Sequence, residues 1–230
     1  HPSIQPQIAM HIPFFSKTPE PPEFYKQYAA QFASKSLPEL EEARFVVFDT
    51  ETTGTNARED RMLSIGALEL KGNKISLSSS FELYVKQEVF NEEAVAIHGI
   101  LRENRKYKKV SEEEAVKAFL EFIGDAILVG HHVGFDIGII NYALKRLGAP
   151  KLKNKFTDTG VLYKRTVHLV NITDPNKVYT LDDLCEELNI AKTDRHKAMG
   201  DAYITALAFL KVMSKLKTNK KLKLKQILLN

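Results

Sequence analysis

Short apolar runs and longer amphipathic stretches alternate along this chain, and they predict its strands and helices. Residues 45–48 and 126–129 are entirely apolar, which is typical of strands that are buried on both faces of a sheet. Two further strands are predicted at 61–70 and 75–85, joined by a short polar turn that contains Gly72. Three predicted strands therefore follow one another directly, and the fourth comes only after a helical region.

Apolar residues three and four positions apart, together with capping signals, predict the helices. Ser111 and Thr180 each have an acidic residue three positions later, which is the pattern of a capping box at a helix start. The predicted helices cover residues 23–35, 91–98, 112–123, 136–147, 181–188 and 201–216. Helices that alternate with strands after an initial run of strands indicate an α/β layered domain with a mixed sheet.

The length and composition of the chain predict its domain organisation. A chain of 230 residues suits one domain with extensions. Residues 1–42 form an extension that is proline-rich and then helical, residues 43–217 form the predicted globular domain, and residues 218–230 form a basic tail. The chain begins with a histidine, so we expect either a native start at Met10 or a trimmed longer protein. The first residues lack the basic and apolar segments of a signal peptide.

Charge is distributed unevenly between the body of the chain and its end. The net charge is +4, but residues 211–230 contain seven lysines and no acidic residue, which leaves −3 for residues 1–210. A lysine-rich segment suits the phosphate backbone of a nucleic acid. A solvated end of the last helix explains the same lysines without any partner. The sequence leaves both explanations open.

Cysteine content and hydropathy bear on the cellular compartment. Cys185 is the single cysteine of the chain, which excludes an intrachain disulfide and fits a reducing environment. No apolar run approaches the ~18 residues that are needed to cross a bilayer. We therefore expect a cytoplasmic protein that does not associate with a membrane.

Four carboxylates stand where predicted elements begin or end. Asp49 and Glu51 follow a buried strand and share one face because they are two residues apart. Asp136 and Asp201 begin predicted helices, where capping explains an aspartate equally well, but acids at a strand end have no capping role. Clustered carboxylates do not all stay ionised without cations, and hard cations such as Mg²⁺ prefer oxygen ligands. The set therefore predicts a metal site.

Three motifs, in this order, resemble those of a known enzyme family. Asp-Thr-Glu-Thr-Thr-Gly occupies 49–54, Gly-His-His-Val-Gly-Phe-Asp occupies 130–136, and a histidine precedes an aspartate by five positions at 196–201. Together they resemble the DnaQ-like 3′–5′ exonucleases, the family of the DNA polymerase III epsilon subunit. One branch of that family has tyrosine four residues before the last aspartate. Lys197 stands there in this chain, so the resemblance is to the histidine branch, called DEDDh, through His196.

The resemblance implies a fold, a cofactor and a set of site residues. The fold would be ribonuclease H-like, with a mixed central sheet flanked by helices in three α/β/α layers. Two divalent cations, Mg²⁺ or Mn²⁺, would be held by Asp49, Glu51, Asp136 and Asp201, while His196 would accept a proton from the attacking water. The implied catalytic residues are Asp49, Glu51, Asp136, His196 and Asp201. The implied substrate-binding residues are Thr52 and Thr53, through their main-chain amides, and His98 and His132.

One position departs from the family pattern. The family usually has asparagine after the histidine of the second motif, whereas this chain has His132. An amide and an imidazole offer different hydrogen bonds at different reach, so the departure concerns substrate positioning. His131 and His132 also resemble a zinc pair, but adjacent strand residues point to opposite faces, which argues against zinc.

Three functions are consistent with these residues. The leading hypothesis is hydrolysis of DNA from a single-stranded or frayed 3′ end to 5′-nucleoside monophosphates, in proofreading or repair, with a DNA polymerase or its clamp as partner. The alternative keeps the chemistry and trims the 3′ ends of RNA. The third is an inactive domain that binds nucleic acid or a partner, which the complete set of four acids and His196 argues against. The sequence does not distinguish DNA from RNA.

Overall fold

A six-stranded mixed sheet lies at the centre of the computed structural model, which describes residues 19–33, 36–87, 108–167, 176–218 and 221–229. The strands are β1 (Arg44–Thr52), β2 (Met62–Lys71), β3 (Lys74–Val85), β4 (Lys109–Val110), β5 (Ile127–Gly130) and β6 (Phe156–Asp158). Their order across the sheet is β4-β3-β2-β1-β5-β6. The β1–β2 and β2–β3 pairs are antiparallel and the other pairs are parallel.

Helices flank this sheet in the described residues. They are α1 (Glu23–Ala30), α2 (Glu112–Ile123), α3 (Gly134–Arg146), α4 (Thr159–Lys164), α5 (Leu181–Glu187) and α6 (Ala198–Lys217), and a 3₁₀ turn follows at Leu224–Gln226. Both predicted capping boxes are present, at Ser111 and at Thr180. The helix predicted at 91–98 lies outside the described residues. Strands β4 and β6 and helix α4 were not predicted, because two to six residues are too few to show a periodicity.

Alternating side chains of β1 enter two separate cores, one on each face of the sheet. Phe45 and Val47 pack in a cluster with α4, α5 and α6, whereas Val46 and Phe48 pack in a cluster with α1, α2 and α3. This arrangement follows from the two-residue period of a strand. The predicted mixed sheet between helical layers, α/β/α, is therefore confirmed.

Helix α1 packs into the second of these cores through two tyrosines. Tyr25 and Tyr28 are buried, and the Tyr25 hydroxyl donates to the Lys151 carbonyl oxygen at 2.6 Å. The Tyr28 hydroxyl donates to Asn154 Oδ1 at 2.6 Å and accepts a hydrogen bond from the Lys153 backbone N–H at 2.7 Å. Residues that precede the apolar run of β1 thus contribute to the core.

The lysine-rich end of the chain also packs against the sheet. Leu222, Leu224 and Ile227 are buried, while the lysines between them are exposed. The Leu229 backbone N–H donates to the Phe156 carbonyl oxygen at 2.9 Å, so this segment bonds to the edge strand β6. None of the helices in the described residues has the length and apolar composition that crossing a bilayer requires.

Candidate active site

Three carboxylates meet at the end of β1. Asp49 and Glu51 are residues of β1 itself, and Asp201 lies in the first turn of α6. Each of the three offers an oxygen, and these oxygens all lie within 4.8 Å of one another. Asp49 and Glu51 share the face of β1 that packs on α6, because they continue the alternation of Phe45 and Val47. Among the described residues, this is the only such group of three or more histidine, cysteine or acidic side chains.

A glycine on β2 lets α6 begin beside Asp49. Gly66 is the partner of Asp49 in the β1–β2 ladder. A Cβ atom at Gly66 would lie 2.4 Å from the Met199 backbone nitrogen and 2.5 Å from the Ala198 carbonyl carbon. Only a residue without a side chain therefore allows the first turn of α6, and with it Asp201, to approach the sheet here. No local pattern in the sequence singles out Gly66.

Asp136 reaches the same strand end from the opposite face of the sheet. Its buried carboxylate accepts hydrogen bonds from the Thr50 backbone N–H at 3.0 Å and from the Thr50 hydroxyl at 2.6 Å. Thr50 lies between Asp49 and Glu51, so its side chain points toward the other helical layer, where α3 packs. Asp136 is not one of the three clustered carboxylates, but it lines a cleft of about 280 Å³ together with Asp49.

Burial and neighbouring charges raise the pKa of three acids of the site, Asp49, Glu51 and Asp136. Burial, followed by the charges of Asp201 and Asp136, raises the pKa of Glu51 to about 7. Burial and the neighbouring carboxylates raise the pKa of Asp49 well above its usual range. Burial also raises the pKa of Asp136 to about 7, although the hydrogen bonds from Thr50 oppose that rise. A bound cation would stabilise the ionised form of acids whose pKa is raised in this way. Ligands that are all oxygen atoms fit a hard divalent ion.

The turn before α6 holds His196 next to this cluster. The His196 backbone N–H points at the Asp201 carboxylate, 3.3 Å from each oxygen, and the His196 side chain is exposed. The neighbouring Arg195, which sequence reasoning did not single out, contacts Asp201 and also donates from Nε to Asp182 Oδ1 at 2.9 Å. An arginine in a loop next to a histidine has no sequence pattern that predicts its contacts. Only the fold shows that Arg195 contacts Asp201 and Asp182.

The predicted substrate-binding threonines lie at the bulge that ends β1. The β1–β2 register shifts between Glu51 and Thr52. The Thr53 backbone N–H donates to the Arg61 carbonyl oxygen at 2.9 Å, and the buried Thr53 hydroxyl donates to Asp60 Oδ1 at 2.8 Å. The Thr53 N–H is therefore already bonded to the Arg61 carbonyl oxygen. The predicted contact of this amide with a nucleotide would have to replace that hydrogen bond. His98 lies outside the described residues.

His132 lines the cleft, and its backbone explains why this residue type fits there. Its φ is +56°, in the left-handed region that asparagine and histidine adopt more readily than most residues. Histidine can therefore stand where the family usually has asparagine without new backbone strain. The expectation that His131 and His132 point to opposite faces is wrong. Strand β5 ends at Gly130, and the two rings lie side by side with centroids 4.3 Å apart.

The loop that carries His132 is anchored from β6 and α4. The buried Asp158 accepts hydrogen bonds from the Val133 backbone N–H at 2.8 Å and from the Gly160 backbone N–H at 2.8 Å. His131 Nδ1 lies 2.9 Å from the Thr159 hydroxyl, and burial lowers the pKa of His131 to about 4. A neutral, half-buried His131 is thus part of the loop's support, and it lines the cleft together with the more exposed His132.

Comparison with known proteins places these residues in a family. A family model described as exonuclease (RNase_T) matches residues 46–209. The DNA polymerase III PolC-type of Thermotoga maritima is 30% identical over 176 residues, and that of Bacillus subtilis is 32% identical over 177 residues. Each match covers 76% of this chain but only 12% of the polymerase.

Solved exonuclease structures share the fold at low sequence identity. Exonuclease I of E. coli, in complex with a dA16 oligonucleotide, has a TM-score of 0.65 at 19% identity and covers 76% of this chain and 42% of its own. Exonuclease X, in complex with 5′ overhanging duplex DNA, has a TM-score of 0.58 at 20% identity and covers 80% of this chain and 96% of its own. The six-stranded sheet and its flanking helices are therefore the ribonuclease H-like fold of these nucleases.

Proposed function

Because this chain belongs to the exonuclease family whose model matches residues 46–209, we propose that it removes nucleotides one at a time from the 3′ end of DNA. The observation that carries the proposal is the meeting of Asp49, Glu51 and Asp201 oxygens within 4.8 Å, with Asp136 beside them across β1. Four acids so close together are costly without cations and would repel a polyanion. Bound cations would offset this negative charge and attract a phosphate.

We assign the ligands from the two faces of β1. Asp49, Glu51 and Asp201 would hold one divalent cation, and Asp49 with Asp136 would hold a second. A pair of such ions activates water and neutralises the charge that develops on the scissile phosphate. The ions would be Mg²⁺ or Mn²⁺, since oxygen ligands favour hard cations.

The remaining residues of the site would handle the proton and the substrate. His196, exposed beside the cluster, would accept the proton of the attacking water, as an imidazole does near neutral pH. The cleft is lined by His132 and Phe135 as well as Asp49 and Asp136, so a terminal base has an aromatic surface to stack on. A cleft of this size suits a single-stranded end better than intact duplex, and a 5′-nucleoside monophosphate would be the product.

DNA is favoured over RNA by the names of the relatives. The matched sequences are DNA polymerases, and the structural neighbours hold DNA. We therefore propose a proofreading or repair role, with a DNA polymerase or its clamp as the partner of this chain.

Digestion of matched 5′-labelled single-stranded DNA and RNA oligonucleotides with Mg²⁺ or Mn²⁺ tests the proposal. We expect a ladder that shortens from the 3′ end of DNA and disappears in Asp49→Asn, which keeps the volume of the side chain but removes its charge. A ladder on RNA alone would replace the proposal by RNA trimming. Folded protein that binds Mn²⁺ but cuts neither strand would instead support the inactive binding domain.

A further inference from the structure

We propose that Arg195 is a positioning residue of the metal centre, which acts by joining the Asp201 carboxylate to Asp182 outside the cluster. This inference rests on the proposed function, since it concerns how one ligand of that site is held. The Arg195 guanidinium contacts Asp201 through one terminal nitrogen, while its Nε lies 2.9 Å from Asp182 Oδ1. One side chain therefore connects the first turn of α5 to the first turn of α6.

The three side chains of this connection are exposed to solvent to different degrees. The relative exposure of the side chain is 10% for Asp201, 16% for Arg195 and 46% for Asp182. Arg195 is thus largely removed from water beside the metal ligand and is anchored at a more exposed acid. A guanidinium is planar, with donors fixed in a fork, so it can hold two carboxylates in a defined mutual orientation, which a lysine ammonium cannot do.

The backbone on either side of Arg195 forms a tight turn. Asp194 and His196 have φ values of +53° and +61°, in the left-handed region that aspartate and histidine adopt more readily than most residues. A Cβ atom at Gly200 would lie 2.0 Å from the Asp194 carbonyl oxygen, so only glycine fits there. The two ion pairs of Arg195 hold this turn against the first turns of α5 and α6.

The His196 backbone adds a second bond to the same carboxylate. Its N–H points at both oxygens of Asp201, so the turn and the metal ligand position each other. Loosening Arg195 would therefore displace Asp201 as a ligand and His196 as a base at the same time. The expected consequence is weaker cation binding together with slower turnover.

A competing explanation predicts the opposite sign. If Arg195 were only a positive counter-charge that occupies Asp201 until a cation arrives, its removal would free a ligand and relieve repulsion, and cations would bind more tightly. The positioning role predicts weaker binding, because residues that orient a metal ligand typically contribute about 10–100-fold to metal affinity. Arg195→Lys, which keeps the charge, therefore decides between the two: the counter-charge explanation predicts unchanged Mn²⁺ affinity, and the positioning role predicts weaker binding.

Two variants and one control test the inference. Arg195→Lys keeps the charge but loses the fork, and Asp182→Asn removes the outer anchor of Arg195 together with a 3.8 Å pair between Asp182 and Lys192. Glu186→Gln is the control, because it also removes an acid of α5 that pairs with Lys192, at 2.7 Å, but one that forms no ion pair or hydrogen bond with Arg195 among the described residues. Mn²⁺ binding by calorimetry and single-turnover cleavage of labelled DNA would be measured for each, with thermal midpoints in EDTA as the check on folding.

We expect Arg195→Lys to weaken Mn²⁺ binding on the order of 10-fold, Asp182→Asn to weaken it less, and Glu186→Gln to match wild type. Cleavage rates should fall in the same order with little change in KM. Unchanged or tighter Mn²⁺ binding in both variants would overturn the inference. If Arg195→Lys does not fold, the Mn²⁺ affinity of Asp182→Asn, compared with that of Glu186→Gln, decides the inference. Asp182 is half-exposed, so its substitution should not prevent folding. Wild-type protein that binds no Mn²⁺ would instead overturn the proposed function.

Discussion

At the residue scale, burial makes Glu51 a weaker acid than a carboxyl group in water, so a cation that binds it near neutral pH competes with a proton. The pKa of Glu51 is raised to about 7 by burial and then by the charges of Asp201 and Asp136. A carboxyl whose pKa is higher in the folded than in the unfolded protein binds more protons when folded. Its contribution to stability is therefore present at low pH and is lost as the pH rises from about 4.5, the unfolded value, through 7.

We therefore expect metal-free protein to lose thermal stability between about pH 5 and pH 8, and Mg²⁺ to restore more stability at the upper end. Melting curves in EDTA and in Mg²⁺ would measure this. Glu51→Gln is the matched variant, because an amide of the same shape does not titrate. The decline in EDTA should be shallower in Glu51→Gln than in wild type, and identical pH profiles of the two proteins would contradict the prediction.

The backbone of His196 determines which substitution is informative there. Its φ of +61° is tolerated better by asparagine than by alanine, so His196→Asn removes the imidazole while keeping the turn. We expect its cleavage rate to fall by about 10²–10⁴, the usual contribution of a general base. Mn²⁺ binding should persist, because the contact with Asp201 is made by the backbone N–H. Lost Mn²⁺ binding would show that the imidazole is itself a ligand.

At the scale of elements, the site depends on how closely α6 approaches β2. Gly66→Ala would place a methyl group about 2.4 Å from the Met199 backbone nitrogen, and backbone cannot rotate away as a side chain does. We expect a loss of about 1–3 kcal/mol in the free energy of unfolding. Weaker Mn²⁺ binding should accompany it, because Asp201 moves with α6.

Gly134→Ala is the control for that substitution. A Cβ atom at Gly134, in the first turn of α3, meets nothing within 4 Å, and its φ is not in the left-handed region. The change from glycine to alanine is the same, but no contact is forced. Equal stability of Gly66→Ala and Gly134→Ala in urea titrations would show that the β2–α6 contact is not tight.

The elements also show what could be predicted from the sequence. The capping boxes at Ser111 and Thr180 were found because the residues involved are three apart. The contact between Gly66 and Met199 joins residues that are more than a hundred positions apart in the chain. No local pattern reveals such a contact. The ion pair between Arg195 and Asp182 joins residues only 13 positions apart, but no capping or periodic pattern links them either.

Motif order, in contrast, identified Asp49, Glu51 and Asp201, which the structure brings together, and Asp136, which it places beside them. The error over His131 and His132 has a local cause. The apolar run ends at Val129 and β5 ends at Gly130, so His131 and His132 lie in a loop, where the alternation of strand side chains does not apply.

At the scale of the whole molecule, the lysine-rich segment returns along the sheet after α6. Helix α6 carries Asp201 in its first turn, and its last residue, Lys217, lies ~24 Å further along the helix axis. The segment that follows bonds to β6 through Ile227 and Leu229 and is held by the buried Leu222, Leu224 and Ile227. Deleting it would remove core contacts as well as charge. A test of its charge has to replace lysines and leave the leucines in place.

The exposed Lys221, Lys223 and Lys225 allow such a test. If they contact DNA, they do so on the part of the strand that extends beyond the active site. Replacing all three by glutamine should weaken binding of a strand of about 30 nucleotides and reduce the slope of log K against log salt by up to about 2. Cleavage of a substrate of about four nucleotides should change less, since it offers fewer phosphates to the lysines. The matched triple arginine variant should bind as wild type does. An unchanged salt slope in the glutamine variant would show instead that these lysines only solvate the end of the fold.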